Sequence, residues 1–561
     1  MKVILKHIHT IGIAAVLLTL AAGCSKYIDK EPLDQFSDLD YWNSEDNVKA
    51  FCWGFYNDIV IGYSKGAGFG RFYFSTFADD QISSSFQNFD KNAPSGDGNW
   101  DFDDVRKANL VMDRVNSVPM DQTAKNHWNG VAHFFRAWVY FRLVKRFGDV
   151  PWYSKVLDIS QDSAIYKPRD PRNMVMDSVL ADLNFAIANL RSKADADANT
   201  INKDVALALK SRVCLYEGTY SEYNEKDNAR AATYLEQCKD ASTKLMDAGY
   251  SLSDAYRSVY NSNDVSGNPE IILYKKYVTG TASHSVVGYT NSTTVMSGLN
   301  RSAINSYLCT DGLPIDLSPE YKGDEGIKNV RANRDGRLTA TIDTFLCYQG
   351  TLVYGMSSTT GYRIAKFLPD GVVKPGDVLP APYNETDAPI FWIAEIYENY
   401  AEASAELDKL GKYTITQHDL DISVNLLRKR GHVDSLELSG HQGTAVNGVV
   451  FVDPKKDADV TSLIWEIRRD RRDELMMDGL RFDDLIRWHK LDYMDSQKNP
   501  DIFVGAKVPA NPDITLNAQG YLLPYSAGTE RTVQPRDYLS PIPTGQISLY
   551  TNGELKQNTG W

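Results

Sequence analysis

Apolar positions recur at helical spacing over most of the chain, and the first clear instance begins at Ser44. In SEDNVKAFCWGFYNDIV an N-cap serine is followed by acids in the first turn, then by Val48, Phe51, Cys52, Phe55 and Ile59 on one face. The same period predicts helices over 126–147, 174–190, 205–217 and 231–245, joined by short polar or proline-containing links. Residues 126–147 place Val131, Phe134, Phe135, Trp138, Phe141 and Leu143 on a broad apolar face. Links this short make neighbours antiparallel. Alanines at the crossing points, with aromatics between them, suggest tetratricopeptide-like pairs, each burying its face against the next. From 268 to 389 the helical period fades into Gly, Pro, Ser and Thr, with short β-like runs at 271–277 and 362–367. That composition predicts a loop-rich sub-domain laid over the helices. Helix resumes over 391–410, 420–430 and 463–477, the last stopping at Gly479 in the manner of a glycine C-cap.

The N-terminus follows a different rule. Lys2 and Lys6 precede the apolar run 11–22 (IGIAAVLLTLAA), shorter than the roughly 20 residues that span a bilayer but suited to a signal-peptide core. Ala21-Ala22-Gly23-Cys24 follows, and small residues before a cysteine resemble a lipobox, here with Ala21 where Leu is commonest. Residues 1–23 are therefore expected to be a lipoprotein signal peptide, with Cys24 lipidated. The polar stretch 24–43 would tether the body to the membrane.

Length and charge refine this picture. A chain of 561 residues outgrows one core. The pattern divides it into an N-terminal helical region (44–270), the loop-rich ligand-binding sub-domain (271–390) and a C-terminal helical region (391–561). The net charge of -13 repels phosphates, which excludes nucleic acid as a partner. Arg468, Arg469, Arg471 and Arg472 do not alter that reading, because residues 466–484 hold seven acids against five arginines and read as a charge-laced helix. Cys52, Cys214, Cys238, Cys309 and Cys347 form no CxxC motif and cannot all pair, so they read as small core residues. Export would also permit a disulfide such as Cys214 to Cys238.

No catalytic constellation emerges. HExxH is missing, and the glycines of 66–70 lack dinucleotide-loop spacing. Asp195, Asp197 and Asn199 imitate an EF-hand, but Thr200 stands in place of its glycine and Ala206 in place of its bidentate Glu. With 73 acids, a carboxylate pair at glycosidase separation has no diagnostic value. The chain is not expected to be an enzyme or to need a cofactor, and a structural calcium ion is not readable from these residues.

Four separated blocks carry a resemblance to a known family. Phe134-Phe135-Arg136-Ala137 runs through Tyr140-Phe141 to Phe147-Gly148-Asp149-Val150-Pro151. The second block is Ile393-Ala394-Glu395 to Tyr400-Ala401-Glu402-Ala403, followed by Leu426 to Gly431, with Trp392 where Arg is usual. The third is Arg472-Asp473-Glu474-Leu475 to Gly479-Leu480-Arg481, then Asp484-Leu485 and Arg487-Trp488, with Asp478 for Glu. The last is Tyr538-Leu539-Ser540-Pro541-Ile542-Pro543 with the terminal Gln557-Asn558-Thr559-Gly560-Trp561. Together they resemble the SusD/RagB lipoproteins found beside TonB-dependent transporters in Bacteroidetes.

The resemblance implies a mainly α fold, with tetratricopeptide-like helix pairs in a right-handed superhelix. It also implies a surface-exposed outer-membrane lipoprotein that binds glycan and passes it to a SusC-like TonB-dependent transporter. RagB-like peptide capture is the alternative, and a surface glycoside hydrolase a remoter one. By position in the family, Asp79 would be the acid of a glycan site, Trp100 and Tyr289 its aromatic platforms and Arg363 a donor to hydroxyls. Each has a plainer role to weigh: a loop-capping carboxylate for Asp79, the helical core for Trp100, and ordinary surface for Tyr289 and Arg363.

Overall fold

A computed structural model describes residues 41–66, 77–158, 160, 162–278, 280–291, 296–348, 357–372, 383–526, 528–550 and 554–561. The signal peptide, Cys24 and residues 24–40 of the tether lie outside the described residues.

Six long helices build the N-terminal half: α1 (Glu45–Ile59), α2 (Asp103–Arg114), α3 (Gln122–Phe147), α4 (Arg172–Asn189), α5 (Lys203–Tyr220) and α6 (Asn228–Met246). Four of their starts follow from short polar side chains. Ser44 accepts the N–H of Asn47, Asp121 that of Ala124, Asn202 those of Asp204 and Val205, and Asp227 that of Arg230. From α2 onward each helix packs on the next, as tetratricopeptide-like pairs require. Val48, Cys52, Phe55 and Ile59 of α1 are buried, and Phe55 stacks on Phe135 of α3 with ring centroids 4.8 Å apart. α2 begins three residues after Trp100, which lies outside it.

The loop-rich region is pinned by short antiparallel pairs: β1 (Gln81–Ser83) with β3 (Ser297–Leu299), β2 (Ile271–Lys275) with β6 (Ala388–Trp392), and β4 (Ile342–Cys347) with β5 (Gly361–Ile364). Phe391 and Trp392, expected in a helix, close β6. That strand leads directly into the next helix, and both residues are fully buried. Between the strands lie α7 (Val286–Asn291), α8 (Arg301–Ser306) and α9 (Gly336–Thr341).

The C-terminal region holds α10 (Ile393–Lys409), α11 (Val424–Arg430), α12 (Ser462–Glu474) and α13 (Arg481–Arg487), with a small sheet β7–β8–β9 over residues 437–451. α10 is buried along almost its whole length, against α5 and α6 on one side and α12 on the other. The helix predicted over 420–430 is broken into the turn Gln417–Asp421 and α11, and α12 stops three residues earlier than its periodicity suggests.

The charges of α12 face inward rather than to water. Arg471 reaches Asp484 at 2.9 Å, Arg468 reaches Glu406 at 3.0 Å, and Asp470 receives both Arg428 (2.8 Å) and Arg337 (3.0 Å). α12 is thus an internal brace, its arginines holding α10 and α13 and its Asp470 holding α9 and α11. The five cysteines in the described residues are buried free thiols; Cys214 and Cys238, the pair a disulfide would have joined, lie in one cluster at the α5–α6 interface.

Candidate functional site

The four residues singled out from the sequence land in different settings. Asp79 is 1% exposed. Its carboxylate receives Arg481 through two hydrogen bonds of 2.8 Å, and Arg472 lies 3.4 Å away. Burial pushes its pKa up, but the two guanidinium groups outweigh burial and hold it at about 2. Neighbouring Asp80, which pairs with Arg472 at 2.6 Å, is pushed the other way, by burial first and by the charge of Asp79. This four-charge box ties the segment before β1 to α12 and α13.

Trp100 is 9% exposed and meets Phe102 and Phe147 edge-on, at centroid distances of 5.6 and 5.0 Å. Its indole is core, while its neighbours Asn99 and Asp101 remain in solvent contact. Arg363 on β5 is 1% exposed, pairs with Asp343 and lies 5.0 Å from the Phe345 ring. Three of the four therefore present almost no surface to a ligand.

Tyr289 on α7 differs. It is half-buried, and its carbonyl accepts the N–H of Met296 at 2.7 Å. Met296 in turn enters β3, where its carbonyl accepts the N–H of Ser84 and its sulfur lies 3.8 Å from the Ser84 hydroxyl. The Asp79 segment and the Tyr289 segment thus meet at the β1–β3 pair. Asn300 strengthens that junction: its side chain donates to the Asp79 carbonyl at 2.8 Å and its N–H to the Asp80 carbonyl at 2.9 Å.

At the open end of this pair lies an aromatic cluster not foreseen from the sequence. Phe86, 40% exposed, meets Tyr525 at 5.4 Å and Phe503 at 5.9 Å, and those two rings meet each other at 5.2 Å. The Tyr525 hydroxyl donates to the Ser83 carbonyl at 2.7 Å, which fixes the cluster to β1. Ser84, Ser85 and Asn88 are exposed beside Phe86. The available signal was a phenylalanine in an otherwise polar run, SSSFQN. A ring held on a rigid support, with hydroxyl and amide groups alongside, offers an apolar face and hydrogen bonds in one plane, which suits a sugar ring.

Perturbed carboxylates do not mark a second chemistry. Burial raises Glu398 well above the usual range, Glu466 to about 8 and Asp473 to about 7, and all three are enclosed among arginines. Burial beside other carboxylates accounts for such shifts without acid–base catalysis. Among the described residues, no three His, Cys, Asp or Glu side chains gather as a metal site, and no helix is long and apolar enough to cross a membrane.

Comparisons with known proteins agree with this architecture. The model of the SusD family matches residues 269–561, and a second family model, described as starch-binding associating with outer membrane, matches residues 69–215. SusD-like protein P38 of Formosa agariphila is 27% identical over 232 residues, which covers 39% of this chain and 44% of that relative. A SusD-like carbohydrate binding protein from Bacteroides fragilis superposes with a TM-score of 0.69 at 18% identity, over 91% of this chain and 99% of that one. A second SusD-like protein of the same organism gives 0.68 at 23% identity, over 95% and 100%. At these identities the structural likeness concerns the fold.

Proposed function

The chain belongs to the SusD family, and from that premise we propose that it is an outer-membrane lipoprotein that binds an oligo- or polysaccharide at the cell surface and delivers it to a SusC-like TonB-dependent transporter. Cys24 carries the lipid in this reading, and the protein holds its ligand without cleaving it. The observation that supports it most directly is the Phe86–Tyr525–Phe503 cluster at the end of the β1–β3 pair, with Tyr289 on the adjoining segment. A sugar ring stacked on Phe86 buries apolar area at about 25 cal/mol per Å², and one such platform is worth on the order of 1–3 kcal/mol. Asp79, Trp100 and Arg363 then act behind the site, holding the segments that bear it.

Affinity electrophoresis against a panel of polysaccharides tests this reading. The protein is expected to be retarded by at least one neutral glycan, and Phe86→Ala to weaken that retardation about five- to a hundredfold with an unchanged melting temperature. Full retardation of the Phe86→Ala protein would move the site elsewhere, and a wild-type protein retarded by no member of the panel would remove the glycan reading.

A further inference from the structure

Phe86 also lines a groove of about 1180 Å³, whose walls include Trp138 and Arg142 of α3. That volume exceeds the roughly 300–1,000 Å³ of ordinary small-molecule pockets, so the groove suits an extended ligand rather than a single ring.

Its cations are almost all answered within the protein. Lys107 pairs with Asp58 and Asp104, Lys145 with Asp483, Arg146 with Asp97, and Arg212 with Glu395. Arg142 is the exception: no described residue forms an ion pair or hydrogen bond with its guanidinium, although it lines the groove and remains exposed. Trp138, one helical turn earlier, rests on Phe134 and Phe391 at centroid distances of 5.6 and 5.4 Å, and its indole N–H likewise donates to no described group. Two side chains with unused donors therefore stand four residues apart on one face of α3.

The chemistry of the opposite side restricts the ligand. Asp101 and Asp103, both exposed, and Asp104 line the groove near Arg142. Desolvation by the walls lowers the pKa of Arg142 from the ordinary arginine value, while Asp104 and Asp101 act in the other direction. Lining carboxylates outnumber lining cations, so the field does not favour an anion. A hydroxyl both donates and accepts, and vicinal hydroxyls can bridge a guanidinium and a carboxylate without adding charge.

We propose that the groove along α3 is an extension of the saccharide site, in which Trp138 and Arg142 hold further units of a neutral chain whose first ring stacks at Phe86. This rests on the glycan reading above and adds to it that recognition depends on chain length.

The test measures affinity by titration calorimetry with α-1,4- and β-1,3-linked glucan oligosaccharides of two to eight units, together with the series built from whichever glycan gives the strongest retardation. Affinity of the wild-type protein is expected to rise with length, and Arg142→Ala to reduce the gain from the shortest to the longest chain about tenfold or more. The melting temperature should hold, because the side chain has no described partner to lose. A length dependence in Arg142→Ala equal to that of the wild type overturns the extension and leaves the Phe86 site standing. A wild-type protein that binds short and long chains equally does the same, and one that binds no saccharide removes both.

Discussion

Asp79 illustrates how a residue's surroundings decide its role. Position in the family marked it as a ligand contact, yet at 1% exposure, between Arg481 and Arg472, it is a counter-ion whose removal would leave two buried guanidinium groups sharing Asp80 alone. Breaking a buried pair from one side costs about 3–5 kcal/mol. Asp79→Asn is therefore expected to lower stability by that amount in urea denaturation, while the folded fraction keeps its saccharide affinity; lost affinity at unchanged stability would restore Asp79 to the site. The same reasoning separates Trp100, wedged between Phe102 and Phe147, from Phe86, whose ring is open to solvent. Sequence alone marked aromatic residues near the right segments but not which of them face outward. That depends on partners more than 400 positions away, such as Tyr525 against Ser83.

Elements were legible in proportion to how local their cause is. The helices α1, α3, α5 and α6 follow from period and cap and α4 from period, all written within a few residues, and the structure places them within a few residues of expectation. The three-residue strands β1 and β3 have no such signature, because Gln81 pairs with Leu299 only after the chain has returned. The C-terminus of α3 shows a long-range cause joining two blocks of the sequence. Ser540 donates its N–H to the Arg146 carbonyl at 2.7 Å, and Asn558 donates its side-chain amide to the Phe147 carbonyl at 3.0 Å, so the last segment of the chain satisfies carbonyls that the helix leaves open. Gly148 makes the turn possible with φ of +74°, and a Cβ there would lie 2.9 Å from Leu539. Gly148→Ala is expected to cost about 1–3 kcal/mol, from backbone strain and from displacing Leu539. A melting curve superposable on that of the wild type would mean that the turn absorbs the change.

Across the whole molecule the most consequential feature is the set of carboxylates enclosed with the arginines of α9 to α13. Burial raises Glu466 to about 8 and Glu270, Asp473 and Glu222 to about 7, with Glu398 also raised well above its usual value. In the unfolded chain these groups lose their protons near pH 4, so between that pH and 7 to 8 the folded chain binds more protons than the unfolded one. Stability must then fall as pH rises, by about 1.4 kcal/mol per pH unit for each such proton. Histidines oppose this over part of the range. Burial lowers His127 to about 4 and His284 to about 3, so the unfolded chain binds the extra protons there, and stability from these two rises with pH until about 6.5. Above 6.5 the histidine contribution is complete and constant, and the carboxylates act alone. Guanidinium denaturation at a series of pH values should therefore show stability falling from pH 5 to 7, where the raised carboxylates outnumber the two histidines, and a gentler fall from 7 to 8, as Glu270, Asp473 and Glu222 give up their protons in the fold as well. A flat or rising profile from pH 5 to 7 would mean that the enclosed carboxylates are already ionised in the fold, each fully answered by its arginine, and that the internal brace holds together as paired charges at neutral pH.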